Sequence, residues 1–165
     1  MSLLFAAIGA TVAALLEASL AVPYLKVGDA NLHPVLVLAV IWTIAAGFER
    51  GLTVAFVGGL VLDILFNRPL GASAFALLVA VGGATLLVQP MSRLRTLAPI
   101  VAVPILSLVN SVLIYVLTSA GTASVAEPLR VFIPGAIYDG VLGLIAGPLV
   151  VSIHARRTQV ERVDW

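Results

Sequence analysis

The sequence predicts an all-α fold, a single integral membrane domain over residues 1–165 built as a polytopic bundle of about six transmembrane helices. Two observations carry this. The hydrophobic fraction is 61% and the charged fraction 10%, with a mean hydropathy of +1.16, whereas soluble domains average about 45–50% and about 25%. The apolar residues also fall in separate runs of about span length, with most of the charges between them. A net charge of +1 offers no basic stripe for nucleic acid. The absence of cysteine excludes disulfides, thiolate metal sites and cysteine nucleophiles.

The first span covers 3–22 and is interrupted only by Glu17. It lacks a basic leading segment and carries an acid inside the apolar stretch, which argues against a signal peptide. Ala6, Ala10, Ala14 and Ala18 fall on one stripe, the small-residue spacing by which membrane helices pack closely. A turn-rich polar connection, Pro23 to Pro34, follows.

Spans two and three, 33–48 and 51–66, are separated only by Glu49-Arg50 and read as antiparallel neighbours. Each is near the lower limit of about 17 residues for crossing a bilayer, with a re-entrant hairpin as the alternative. The third carries the most informative pattern: Gly51, Ala55, Gly59 and Asp63 recur every four residues, three small side chains followed by a carboxylate. Such a stripe faces another helix, because a carboxylate at hydrocarbon depth costs roughly 2.5–3.5 kcal/mol on insertion scales. The span ends at Asn67-Arg-Pro-Leu-Gly71.

The fourth span, 74–89, is followed by the basic connection Pro90 to Pro99. The fifth, 100–120, holds Ser107, Asn110 and Ser111, and Asn110 needs a hydrogen-bond partner away from lipid. The sixth, 131–155, repeats the small-residue spacing in Gly135, Asp139, Gly143 and Gly147. The charged stretch 156–165 reads as a cytoplasmic tail too short to fold alone.

Arg50, Arg93, Arg95, Arg156, Arg157 and Arg162 fall on one side of this topology, and Lys26, Arg68 and Arg130 on the other. The excess places both termini in the cytoplasm. Glu17, Asp63 and Asp139 then all sit toward the outside, at the level of Lys26, Arg68 and Arg130. Acid–base pairs that pin helix ends are one expectation. A groove that receives a partner helix or a ligand is the other, with Asp63 and Asp139 the stronger candidates and Glu17 able to snorkel.

Chemistry is sparse. His33 and His154 have no second histidine at ligand spacing and read as interfacial residues, not metal ligands. No serine elbow, zinc helix or phosphate-binding glycine loop is present. Tyr138-Asp139 supplies only half of an intramembrane aspartyl protease motif pair. The reading is a non-enzyme without cofactor or metal.

Gly58-Gly-Leu-Val-Leu-Asp-Ile-Leu-Phe-Asn-Arg-Pro-Leu-Gly71 resembles the core of the bacterial rod-shape-determining protein MreD family, a Gly-Leu-x-x-Asp segment followed by Pro-Leu-Gly. Gly59, Leu60, Asp63, Pro69, Leu70 and Gly71 supply it here, beside Arg68. The resemblance implies a fold similar to the six-helix substrate-binding subunits of energy-coupling-factor transporters. It also implies a scaffold in the bacterial inner membrane that supports rod shape and lateral peptidoglycan synthesis. The implied partners are an MreC-like single-span protein, a RodA-like glycosyltransferase, a class B penicillin-binding protein and an MreB-like actin filament. The small face of span one and the Asp63 face are the candidates for receiving the partner helix. The alternative is a vitamin-type transporter's substrate-binding subunit, whose cavity requires converging polar and aromatic residues. The aromatic residues are spread along the chain, which favours the scaffold.

Overall fold

The computed structural model describes residues 2–21, 32–89, 97–118 and 129–160. They form α1 (Ser2–Leu16, continued by a π-helical turn, Glu17–Ala21), α2 (Pro34–Ala46), α3 (Phe48–Leu65), α4 (Ala72–Val88), α5 (Ala98–Thr118) and α6 (Leu129–Val160). No strand occurs among the described residues. Lys26, Arg93, Arg95 and Arg162, with most of the polar connections, lie outside them, as do the side chains of Arg130, His154, Arg156 and Arg157.

Helices α1 and α6 are built inside out relative to those of a water-soluble protein. On α1 the small residues Ala6, Ala10, Ala13 and Ala14 are buried while Leu3, Leu4, Phe5, Ile8, Val12 and Leu15 face outward. Helix α6 repeats this, exposing Ile137, Val141, Leu144, Ile145 and Leu149 and burying Gly135, Asp139, Gly143 and Gly147. Small residues inside allow close approach of backbones, and the large apolar side chains are left for the surroundings. Two segments, Ala98–Thr118 and Phe132–Ser152, are long and apolar enough to cross a membrane; α1, α2 and α4 are apolar but shorter.

Helix α2 is the centre of the bundle and touches every other helix. Its 13 residues extend about 20 Å at 1.5 Å per residue, short of a hydrocarbon core of about 30 Å. The expected second span over 33–48 is therefore a shorter, internal helix. Val35, Leu36, Val37, Ala39, Val40, Ile41 and Ile44 are all buried, so apolar side chains line its whole circumference.

The boundary between α2 and α3 also differs from expectation. It is Gly47 alone, at φ 104 and ψ 164, a backbone conformation open essentially to glycine. Glu49 and Arg50 lie in the first turn of α3 instead of separating the helices. Helix α6 runs on to Val160, taking up half of the stretch expected as a free tail.

The stripe Gly51, Ala55, Gly59 and Asp63 is buried along α3 and meets neighbours on both sides. A Cβ on Gly51 would strike Thr43 of α2, and one on Gly59 would strike the backbone of Ala74 in α4. Gly58 beside the stripe admits Val35 and Ala10. Along the antiparallel α5–α6 contact, Gly140, Gly143 and Gly147 receive Pro104, Val103 and Pro99.

Candidate functional site: three buried carboxylates and a basic pocket

Glu17, Asp63 and Asp139 are 4%, 0% and 0% exposed. None makes the expected bond to an arginine or lysine among the described residues. Each instead accepts main-chain N–H groups at the start of another helix.

Asp63 closes the turn between α3 and α4. Helix α3 ends in a Schellman arrangement: Arg68 N–H donates to Asp63 O at 2.9 Å and Asn67 N–H to Ile64 O at 3.4 Å. Asn67 takes the left-handed position at φ 50, which asparagine tolerates better than most residues. Helix α4 then starts from Gly71, at φ 95, which has no side chain to cap it. The Asp63 carboxylate supplies the cap, accepting Gly71 N–H at 2.8 Å and Ser73 N–H at 2.9 Å. A negative charge at this position also opposes the positive end of the α4 dipole.

Helix α2 is capped in the same way by two acids from elsewhere. His33, its N-cap residue, makes no side-chain cap, and Pro34 has no N–H to satisfy. Asp139 of α6 accepts His33 N–H at 2.7 Å through Oδ1 and pairs with His33 Nδ1 at 2.8 Å through Oδ2. The Ser107 hydroxyl of α5 donates to the same Oδ2 at 2.5 Å. Glu17, on the π-helical turn that ends α1, accepts Val35 N–H at 3.1 Å. An internal helix cannot leave its first N–H groups to solvent, and carboxylates from α1 and α6 meet that requirement.

Glu17 therefore does not snorkel, and the Asp63–Arg68 pair gives way to backbone capping. Arg68 lies with its guanidinium carbon 4.9 Å from the centre of the Phe66 ring, and its Nη1 donates to Ser73 Oγ at 3.3 Å. His33, expected to be interfacial, is instead the partner that Asp139 holds. Ala6, Ala10 and Ala14 are buried within the bundle, Ala18 is half-buried, and α1 packs against α3 and α2. The two faces offered for a partner helix, the alanine stripe and the Asp63 stripe, are thus filled by the chain's own helices.

Beside Arg68 and His33 lies a half-open pocket of about 180 Å³, also lined by Ser111, Tyr115, Thr118 and Phe132. Tyr115 and Phe132 meet edge to face, with centroids 5.9 Å apart. Two of the aromatic residues that look scattered in the sequence, Tyr115 and Phe132, meet at this point. A narrow recess of about 10 Å³ adjoins the pocket through His33, Arg68 and Ile114 and reaches Glu17 and Asn110. Asn110 Oδ1 is buried there with no hydrogen-bond partner among the described residues.

Compared with family models, curated proteins and solved structures, the chain matches none.

No group of three metal-ligating side chains occurs among the described residues. His33, Asp139 and Ser107 share a hydrogen-bonded cluster in which Asp139 accepts from both partners. The direction of these bonds makes Ser107 a donor to the Asp139 carboxylate. The cluster is organised to hold the α2 N-terminus against α5 and α6. Sequence reasoning missed His33 and Ser111 as members of a common site. The available signal was Pro34, whose position marks a helix start that needs an acceptor from outside its own segment.

Proposed function

We propose that this chain is a non-enzymatic scaffold of the MreD type in the bacterial inner membrane. In this reading it holds an MreC-like single-span protein beside the wall-synthesis enzymes. The carrying observation is that four of the six residues on which the resemblance rests, Gly59, Asp63, Pro69 and Gly71, act as one interlocking unit. Gly59 lets the Ala74 backbone approach, Asp63 accepts the amides of Gly71 and Ser73, and Pro69 O accepts Ala72 N–H. A motif that builds one helical turn in this way supports reading Gly59 to Gly71 as a fold signature instead of a chance string.

The inside-out distribution of side chains supports a bilayer environment. In a six-helix arrangement, α2 need not itself reach both surfaces, because its neighbours enclose it and carboxylates satisfy its polar start. In this reading the arginine excess that the sequence assigns to the cytoplasmic side supports an outer position for Arg68 and the pocket. With the alanine and Asp63 stripes occupied from within, the partner helix meets one of the outward apolar faces.

A vitamin-type substrate-binding subunit is the second reading, favoured by the pocket at Arg68. Its volume of about 180 Å³ is below the roughly 300 Å³ from which drug-sized ligand pockets begin. This disfavours a vitamin-sized cargo.

Purification from the native membrane in mild detergent, followed by mass spectrometry of what accompanies the chain, tests the proposal. Recovery of an MreC-like protein with RodA-like or penicillin-binding components is the expected result. Recovery of paired ATPases with a coupling membrane subunit would overturn it.

A further inference from the structure

The pocket beside Arg68 carries an inference that is independent of the scaffold reading. Among the described residues, Arg68 and His33 are the basic side chains that line it and no carboxylate does, while Glu17 lines the recess that adjoins it. Each of the three nearby acids is engaged at a helix start, where it accepts backbone N–H. Asp63, the acid closest in sequence to Arg68, is used in capping α4 and does not pair with the guanidinium.

The guanidinium is also held in place. Phe66 lies under it and Ser73 takes one of its donors, while a guanidinium has five N–H donors in a planar fork. On the other wall Asp139 engages His33 at Nδ1, which leaves Nε2 as the ring nitrogen for the pocket. Ser111 adds a hydroxyl from α5, beside Tyr115 and Thr118, whose own hydroxyl donates to Ile114 O, and Phe132 adds an apolar wall from α6.

We infer that this pocket binds a phosphate group. Its polar atoms arrive from α2, the α3–α4 turn and α5, so they approach a central anion from different directions. A tetrahedral phosphate presents oxygens to all of them, whereas a planar carboxylate serves chiefly the arginine fork. The volume of about 180 Å³ accommodates a headgroup-sized ligand. The pocket lining includes Thr118, at the exposed end of α5, and the group the pocket takes is a free phosphate or the phosphate of a lipid headgroup.

The experiment uses the full chain in detergent, titrated with inorganic phosphate and, separately, with short-chain phosphatidylglycerol in mixed micelles. Binding is read by calorimetry and by native mass spectrometry. At least one probe is expected to bind at a single site. Arg68→Gln should weaken it by about tenfold or more, Arg68→Lys by less, and Arg50→Gln at the opposite end should leave it unchanged. Binding of phosphatidylglycerol alone identifies a lipid headgroup, and binding of inorganic phosphate identifies a free anion. Melting temperatures of all variants separate lost binding from lost folding. Absence of binding by both probes to the folded wild-type chain would overturn the inference. So would equal binding by wild type and a folded Arg68→Gln variant.

Discussion

Replacement of Asp63 by alanine removes the acceptor that joins α3 to α4. The carboxylate takes two buried amide bonds, 2.8 Å from Gly71 and 2.9 Å from Ser73. Hydrogen bonds to a charged group contribute about 1.5–3 kcal/mol each, so Asp63→Ala is expected to cost about 3–6 kcal/mol. At about 2–4 °C per kcal/mol for a chain of this size, the melting temperature falls by about 6 °C or more. Asp63→Asn keeps one carbonyl acceptor and is expected to lose about half as much. Arg68→Ala removes a ring contact and one long hydrogen bond, worth about 1 kcal/mol. The double exchange Asp63→Arg with Arg68→Asp is not expected to restore stability, because the amides of α4 need an acceptor at position 63. Thermal unfolding of the detergent-solubilised chain, followed by circular dichroism, measures all four variants. An Asp63→Ala variant melting within about 1 °C of wild type would refute the capping argument, and full rescue by the exchange would reinstate an ion pair.

Gly59→Val places side-chain atoms where the Ala74 backbone passes and is expected to abolish accumulation of folded protein. Gly82→Ala, with open space around its Cβ, should accumulate normally, and quantitative immunoblotting of membranes compares the two. Gly47→Ala forces a side chain into the φ 104 conformation and should destabilise by about 1–3 kcal/mol in the same melting assay. Asp139→Ala strips acceptors from His33 N–H, His33 Nδ1 and Ser107 Oγ together. It should cost about 3–5 kcal/mol, more than Glu17→Ala, which releases one amide bond to Val35; hydrogen exchange at the start of α2 reads both.

Much of the fold was legible because membrane helices write their packing into local sequence. Every-fourth-residue spacing in Ala6 to Ala18, in Gly51 to Asp63 and in Gly135 to Gly147 depends only on helical periodicity. The residues so marked turn inward, except Ala18, which is half-buried. The Asn67 to Gly71 turn was legible for the same reason, since asparagine and glycine mark the positive φ positions that a reversal requires.

The sequence by itself determined that the chain is helical, which residues are small or charged within apolar runs, and where the chain reverses after Phe66. Only the tertiary structure decided what each acid does. Asp139 and His33 are 106 residues apart, and Glu17 reaches Val35 across a separate connection. No local pattern encodes a cap supplied by another helix. Charge balance pointed to arginine and lysine as partners, but buried helix starts offer unsatisfied N–H groups that compete for the same carboxylates. Once those amides take Asp63, Arg68 remains beside the pocket as a cation with donors to spare.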